Sequence, residues 1–221
     1  MTRVLIVAAH PDDAELALGG AIAQLADRGA EVTVALFTVS ETAAAHDPDR
    51  RARRIAAAEA ASRVLGHRLH WLGDGQYDQV EDIPEYRAVG LLDDLVAQIG
   101  PDTVISHWDG DSHGDHVRVA RAVVASSRRW PHAALLQFGP NEHRTVRHAE
   151  FAPGLYIPTV DHLPRKLRAL ACYAYPGQGY RALDPDAVEL LDRARGAAVG
   201  LAAAEGLRLV RHRLTLGRPL L

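Results

Sequence analysis

Two short stretches of this chain concentrate the side chains able to do chemistry. The first is His10-Pro11-Asp12-Asp13-Ala14-Glu15, an imidazole and two adjacent carboxylates with a third acid two residues on. Acids crowded in this way repel one another and compete for water unless a cation organises them, and a divalent metal would resolve the conflict. The second stretch is His107-Trp108-Asp109-Gly110-Asp111-Ser112-His113-Gly114-Asp115-His116, with three His and three Asp in ten residues. Imidazole is the commonest metal ligand, and it needs a carboxylate or carbonyl on its second nitrogen to hold its tautomer. His113 and His116 stand at i and i+3, a spacing that aims both rings at one locus as a chain enters a helix. Each stretch alone has a plainer reading, as acidic helix caps beside a core histidine or as a polar turn-rich loop. Their placement on the fold changes that.

Both stretches follow apolar, β-branched runs and precede helical periodicity. Strands are expected near Val4–Ala8, Glu31–Phe37, Arg68–Leu72, Thr103–Ser106 and Ala134–Phe138. Helices are expected over Ala14–Asp27, Arg50–Leu65, Glu85–Ile99, Val117–Arg129, Leu163–Ala171 and Pro185–Ala204. Gly29, Gly66 and Gly100 stand as helix stops, and Asp49 and Asp184 as N-caps. This alternation predicts an α/β fold, a Rossmann-like three-layer sandwich around a mostly parallel central sheet. In such sheets ligands bind at the C-terminal ends of the strands, where both stretches fall. If the strand before His107 neighbours the first strand, the two loops meet and supply N and O donors together. Two His and one Asp leave a fourth tetrahedral position open, as catalytic zinc requires. The segment 140–180 is irregular and reads as a candidate lid, with the structure of Pro140–Asp161 left open. The alternation of apolar and basic residues over Leu207–Leu214 reads as an edge strand with one wet face.

With 221 residues, 48% of them hydrophobic and 24% charged, the chain is expected to form a single domain over 1–221 with a sizeable core. A formal charge of −3 argues against nucleic acid as a partner. No apolar run is long enough to span a bilayer, and the N-terminal run lacks signal-peptide shape. Cys172, the single cysteine, reads as a buried inert thiol, and the cytoplasm is the expected compartment. The first loop lacks G-x-G-x-x-G, with Gly19-Gly20 arriving too late, so it does not read as a dinucleotide site. No G-x-S-x-G elbow is present.

At these residues the sequence resembles the PIG-L/LmbE family of zinc-dependent N-deacetylases. The resemblance rests on the A-H-P-D-D loop, Ala9 to Asp13 continuing to Gly19-Gly20, and on the H-x-D-H loop, His113 to His116. It implies zinc on His10, Asp13 and His116, with Asp12 as the base acting on water, His113 stabilising the oxyanion and Asp115 orienting His113. It also implies that Arg54 hydrogen-bonds sugar hydroxyls and that Asp74 contacts substrate. The family's glutamate three residues after that arginine is Ala57 here, and Trp108-Asp109-Gly110-Asp111 stands where some relatives carry an assisting tyrosine. Tyr173, Tyr175 and Tyr180 are the candidates to take its part. The implied activity is removal of an N-acetyl or other N-acyl group from an amino-sugar-containing metabolite or glycoconjugate, with assembly into trimers or hexamers. The competing expectation is a metal-binding member with lost or different activity, either ester or phosphodiester hydrolysis or a binding protein.

Overall fold

A computed structural model describes residues 1–39, 48–75, 79–139, 150–174 and 184–212. Among them the chain runs β1 (Arg3–Ala8), α1 (Asp13–Asp27), β2 (Glu31–Leu36), α2 (Pro48–Leu65), β3 (Arg68–Trp71), α3 (Glu85–Ile99), β4 (Thr103–His107), α4 (Gly114–Ser126), β5 (Ala134–Phe138), β6 (Leu155–Pro158), α5 (Leu163–Ala171), α6 (Pro185–Ala197) and β7 (Ala204–Arg211). Short 3₁₀ turns occupy Leu72–Gly75, Val80–Asp82 and Ser127–Arg129. The strands form one sheet in the order β3-β2-β1-β4-β5-β7-β6. The first five are parallel, and β7 pairs antiparallel with both β5 and β6.

Alternation along β1 shows why three layers form. Val4, Ile6 and Ala8 join a core with α1 and α2, while Leu5, Val7 and Ala9 join a second core with α3 and α4. A strand buried on both faces has to read as an unbroken apolar run, as this one does. The chain leaves β1 for β2 on one side, and β4 pairs on the other side with Val7 opposite Ser106. The strand order therefore reverses between β1 and β4, and the crevice at their C-terminal ends lies between the two loops singled out from the sequence.

Two expectations need correction and a third holds in part. β6 covers β7 only from Ala204 to Leu207 and takes the edge there, whereas Arg208–Arg211 pair with β5 and are not covered by β6, so that part of β7 lies at the edge as expected. Alternation reports which face of a strand is wet and says nothing about what pairs beside it. The last helix ends at Ala197, not Ala204, since the chain turns at Gly200 with φ +76° and enters β7. Asp49 lies within the first turn of α2, whereas Asp184 caps α6 as expected, its carboxylate accepting from the Asp186 amide at 3.1 Å.

Candidate metal centre

Each loop is shaped by its own backbone chemistry before any ion is considered. Asp12 is the N-cap of α1 at φ +89°, ψ −27°, the one non-glycine residue with positive φ among those described. Aspartate tolerates this left-handed conformation better than most residues, yet it remains strained and holds only where its surroundings enforce it. Here the Leu16 amide donates to the Asp12 carbonyl at 2.8 Å, and the His10 amide donates to Asp13 Oδ2 at 2.8 Å. In the second loop His113 is the N-cap of α4, its Nδ1 accepting from the Asp115 amide at 3.2 Å. Asp111 accepts from the His113 amide at 3.2 Å and accepts a hydrogen bond from His116 Nδ1 at 2.8 Å.

These bonds turn the functional atoms toward one point. His116 Nε2 lies 3.3 Å from Asp13 Oδ1, and His10 Nδ1 lies 3.5 Å from Asp13 Oδ2. His10 Nε2 faces Asp115 Oδ2 at 2.8 Å. The carboxylate of Asp115 thus orients His10 rather than His113, which it meets only through its backbone amide. The reason is local: an amide in the first turn of a helix points at the cap residue, leaving the side chain free to reach across. Asp111, which the sequence reading did not single out, plays for His116 the part that Asp115 plays for His10. Its signal was present in the interleaving of Asp and His, without a way to tell which Asp served which ring.

His107 was also passed over as an individual residue. It ends β4 fully buried, accepts the Ala9 amide on Nε2 at 3.0 Å and lies 3.3 Å from Asp13 Oδ2. Two groups of donors are therefore close enough to hold an ion, His10–His113–His116 and Asp13–His107–His116. Ring geometry separates them. His107 stacks on His116 with centroids 4.0 Å apart and planes 13° apart, and His113 also stacks on His116, at 4.3 Å and 14°. An ion bound ~2.1 Å from an imidazole nitrogen sits near that ring's plane, so two parallel rings cannot both hold it. His10 is tilted 50° from His116 and can share an ion with it. His10 is also tilted 57° from His113, so His10 meets both rings of the second loop at an angle, while His107 and His113 lie nearly parallel to His116.

The electrostatics fit a cation. Burial pushes the Asp13 carboxyl up, but the surrounding His116 and His107 imidazoles outweigh it and hold Asp13 well below its ordinary range. Burial opposes charge on His10, yet Asp115 and Asp13 raise it to about 9. His116 is similarly opposed by burial and raised to about 10 by Asp13 and Asp111. His107, by contrast, is lowered to about 4, first by burial and then by the charge on His116.

Behind the first loop, burial lifts Glu15 to about 7 while its carboxylate accepts the Tyr173 hydroxyl at 3.0 Å. Tyr173 is fully buried in that bond. His67 lies 3.9 Å from Glu15 without forming an ion pair, since burial lowers it to about 4. Arg54 is 2% exposed and donates to the carbonyls of Val39 at 2.7 Å and Pro11 at 3.2 Å, with Asp12 Oδ2 4.0 Å away. The Asp74 side chain, Tyr175 and Tyr180 lie outside the described residues.

Comparison with known proteins follows this geometry. The family model described as PIG-L, GlcNAc-PI de-N-acetylase, matches residues 5–127, which span both loops. A 1D-myo-inositol 2-acetamido-2-deoxy-alpha-D-glucopyranoside deacetylase from Mycobacterium sp. (strain KMS) is 32% identical over 155 residues, covering 58% of this chain and 50% of that protein. The chain spans about half the length of the curated relatives it matches. Among solved structures, N,N'-diacetylchitobiose deacetylase from Pyrococcus horikoshii superposes with a TM-score of 0.76 at 21% identity, over 95% of this chain and 84% of that one. The 4-carboxy-2-hydroxymuconate hydratase GalB from Pseudomonas putida KT2440 does so equally, at 0.76 and 21%, over 99% and 100%. At such identities the superpositions establish the fold.

Proposed function

Because this chain belongs to the PIG-L family of GlcNAc-PI de-N-acetylases, we propose that it is a zinc-dependent hydrolase that removes an N-acetyl group from an amino-sugar-containing metabolite. The observation that carries this reading is the Asp13 carboxylate, which offers one oxygen beside His10 and the other beside His116 across two loops. Two imidazole nitrogens and a carboxylate oxygen with an open fourth position suit catalytic zinc. A zinc ion held there by His10, Asp13 and His116 would polarise the amide carbonyl and acidify water.

The protein groups do the rest. Asp12, buried and held beside the ligands in its left-handed conformation, takes the proton from the attacking water and returns it to the departing amine. His113, whose Nδ1 is engaged by the Asp115 amide, has Nε2 left to donate to the oxygen that gains charge as the amide is attacked. Asp115 and Asp111 fix the ring orientation of His10 and His116. A metal-binding protein without activity would have no use for a strained, non-ligand carboxylate at Asp12, which favours the enzymatic reading. The substrate is an N-acetylated sugar conjugate, and one free thiol fits a cytoplasmic setting.

A screen settles the reaction class: zinc-loaded protein is incubated with N-acetylglucosaminyl-inositol, N-acetylated chitobiose and simple N-acetylglucosaminides, and free amine is measured. Amine release from at least one is expected. Bound zinc with no amine release, together with water addition to an unsaturated tricarboxylate such as 4-carboxy-2-hydroxymuconate, would overturn the proposal in favour of a lyase on the same fold.

A further inference from the structure

Glu15 is a buried acid that the proton transfers at the metal centre leave unused. It is the third residue of α1 and 2% exposed, and its Oε1 accepts the Tyr173 hydroxyl at 3.0 Å. We propose that Glu15, held by Tyr173, is a positioning residue that braces the strained Asp12 N-cap and so fixes the direction of the Asp12 carboxylate. The inference rests on Asp12 being the base.

The reason lies in how a helix begins. An N-cap aspartate ordinarily turns its carboxylate back onto an amide of the first turn, and a glutamate three residues later reaches back to the N-cap amide. In α1 the first half of this exchange is missing, because Asp12 stands at φ +89° and its side chain does not cap the helix. The second half is present in outline. The amides of Asp12 and of Glu15 itself turn toward the Glu15 carboxylate and oppose the burial that lifts it. Neither closes a full bond to Oε2, which has no hydrogen-bond partner among the described residues. The Tyr173 hydroxyl is therefore what holds the carboxylate under the turn. Tyr173 stands two residues beyond α5 and is wholly buried, so the brace runs from a helix packed on α1 into the cap of α1. A left-handed aspartate persists only where its surroundings over-determine it, and a carboxylate not committed to capping is the one that can move a proton.

Zinc-loaded wild type, Glu15→Ala, Glu15→Gln and Tyr173→Phe test this through three readouts. These are zinc content, deacetylation of an N-acetylglucosaminide, and hydrogen exchange of the Leu16 amide, which donates to the Asp12 carbonyl. Zinc content is expected to match wild type in all three variants. In Glu15→Ala kcat falls about tenfold or more while KM stays within about twofold, as for loss of an interaction not made with ground-state substrate. Glu15→Gln recovers most of that kcat, because its amide oxygen still accepts the Tyr173 hydroxyl. Tyr173→Phe lowers kcat and speeds Leu16 exchange about tenfold through local opening of the first turn, and it serves where Glu15→Ala fails to fold. Wild-type kcat in Glu15→Ala, or a Glu15→Gln as slow as Glu15→Ala, would overturn the proposal. So would a loss of kcat in Tyr173→Phe at wild-type Leu16 exchange, which would place the hydroxyl on substrate instead. Absence of amine release in wild type would end the reading of Asp12 as base and leave the Leu16 exchange to report on the brace, so the two failures are distinguishable.

Discussion

Asp13 is shared by three imidazoles, and the parallel stacking of His107 on His116 decides what each can do there. A ring stacked flat on His116 restrains the rotation of that imidazole. His107→Ala is therefore expected to lower zinc affinity on the order of ten- to a hundredfold with the number of ions per chain unchanged. Competition against a chromophoric chelator reads this directly, and unaltered affinity would remove His107 from the site. Asp12 makes the opposite prediction. Asp12→Asn preserves the shape and the ion but removes the base, so kcat should fall by about 10²–10⁴ at constant metal content. Near-wild-type turnover in an amine-release assay would show that another group moves the proton. The residue types of this centre were legible in the sequence, since His10, Asp13, His113 and His116 sit in runs too rich in donors for an ordinary turn. The supporting carboxylates were not: Asp115 reaches His10 across two loops, 105 residues away in sequence, while Asp111 and His116, 5 residues apart, pair through the fold of a single loop that spacing alone does not give.

At the scale of elements, α1 carries a break that explains Gly19-Gly20. Leu18 leaves helical geometry at φ −139°, ψ 15°, which frees the amides of the next turn. Glu205 of β7 accepts two of them, from Gly20 at 2.9 Å and Ala21 at 2.7 Å, so a side chain from the far end of the chain caps the second half of α1. Lys166 of α5 then joins Glu205 at 2.8 Å and Asp192 of α6 at 2.6 Å, all fully buried. Burial raises the Asp192 carboxyl to about 6 against the pull of Lys166. A Cβ on Gly20 would stand 2.7 Å from the Thr159 Cβ, and one on Gly19 2.7 Å from the Lys166 Cγ. Gly20→Ala is accordingly expected to destabilise by about 1–3 kcal/mol through overpacking. Lys166→Met leaves two buried carboxylates without their cation and is expected to cost about 3–5 kcal/mol. Urea titrations of both variants check these values, and wild-type midpoints would contradict them. The glycine pair was visible in the sequence, but its partners stand far along the chain, and no local pattern connects a glycine to a lysine packed against it.

For the whole molecule, the parallel half of the sheet was readable because strands buried on both faces are unbroken apolar runs. The antiparallel end was harder, since β6 is short, half-exposed and set among prolines and glycines, and it covers β7 only from Ala204 to Leu207. Global stability should carry a mark of His67, buried beneath α1 and lowered from 6.5 to about 4. Between those values the unfolded chain binds a proton that the folded chain refuses, so stability falls as the pH drops through that window, by up to about 3 kcal/mol. Glu15, which faces His67 and titrates near 7 when folded, acts in the opposite sense above its unfolded range. Thermal melts from pH 7 to pH 4 should show a flatter acid limb in His67→Gln than in wild type, and parallel profiles would deny His67 this part.

The account as a whole depends on two loops, one after β1 and one after β4, holding a single ion between them. Equilibrium dialysis against zinc, with metal counted per chain, tests this in wild type, Asp12→Asn, His10→Ala and His116→Ala. One ion is expected in wild type and Asp12→Asn, and none in either histidine variant, each of which removes the donor from one loop. A full complement of zinc in His10→Ala or in His116→Ala would contradict it.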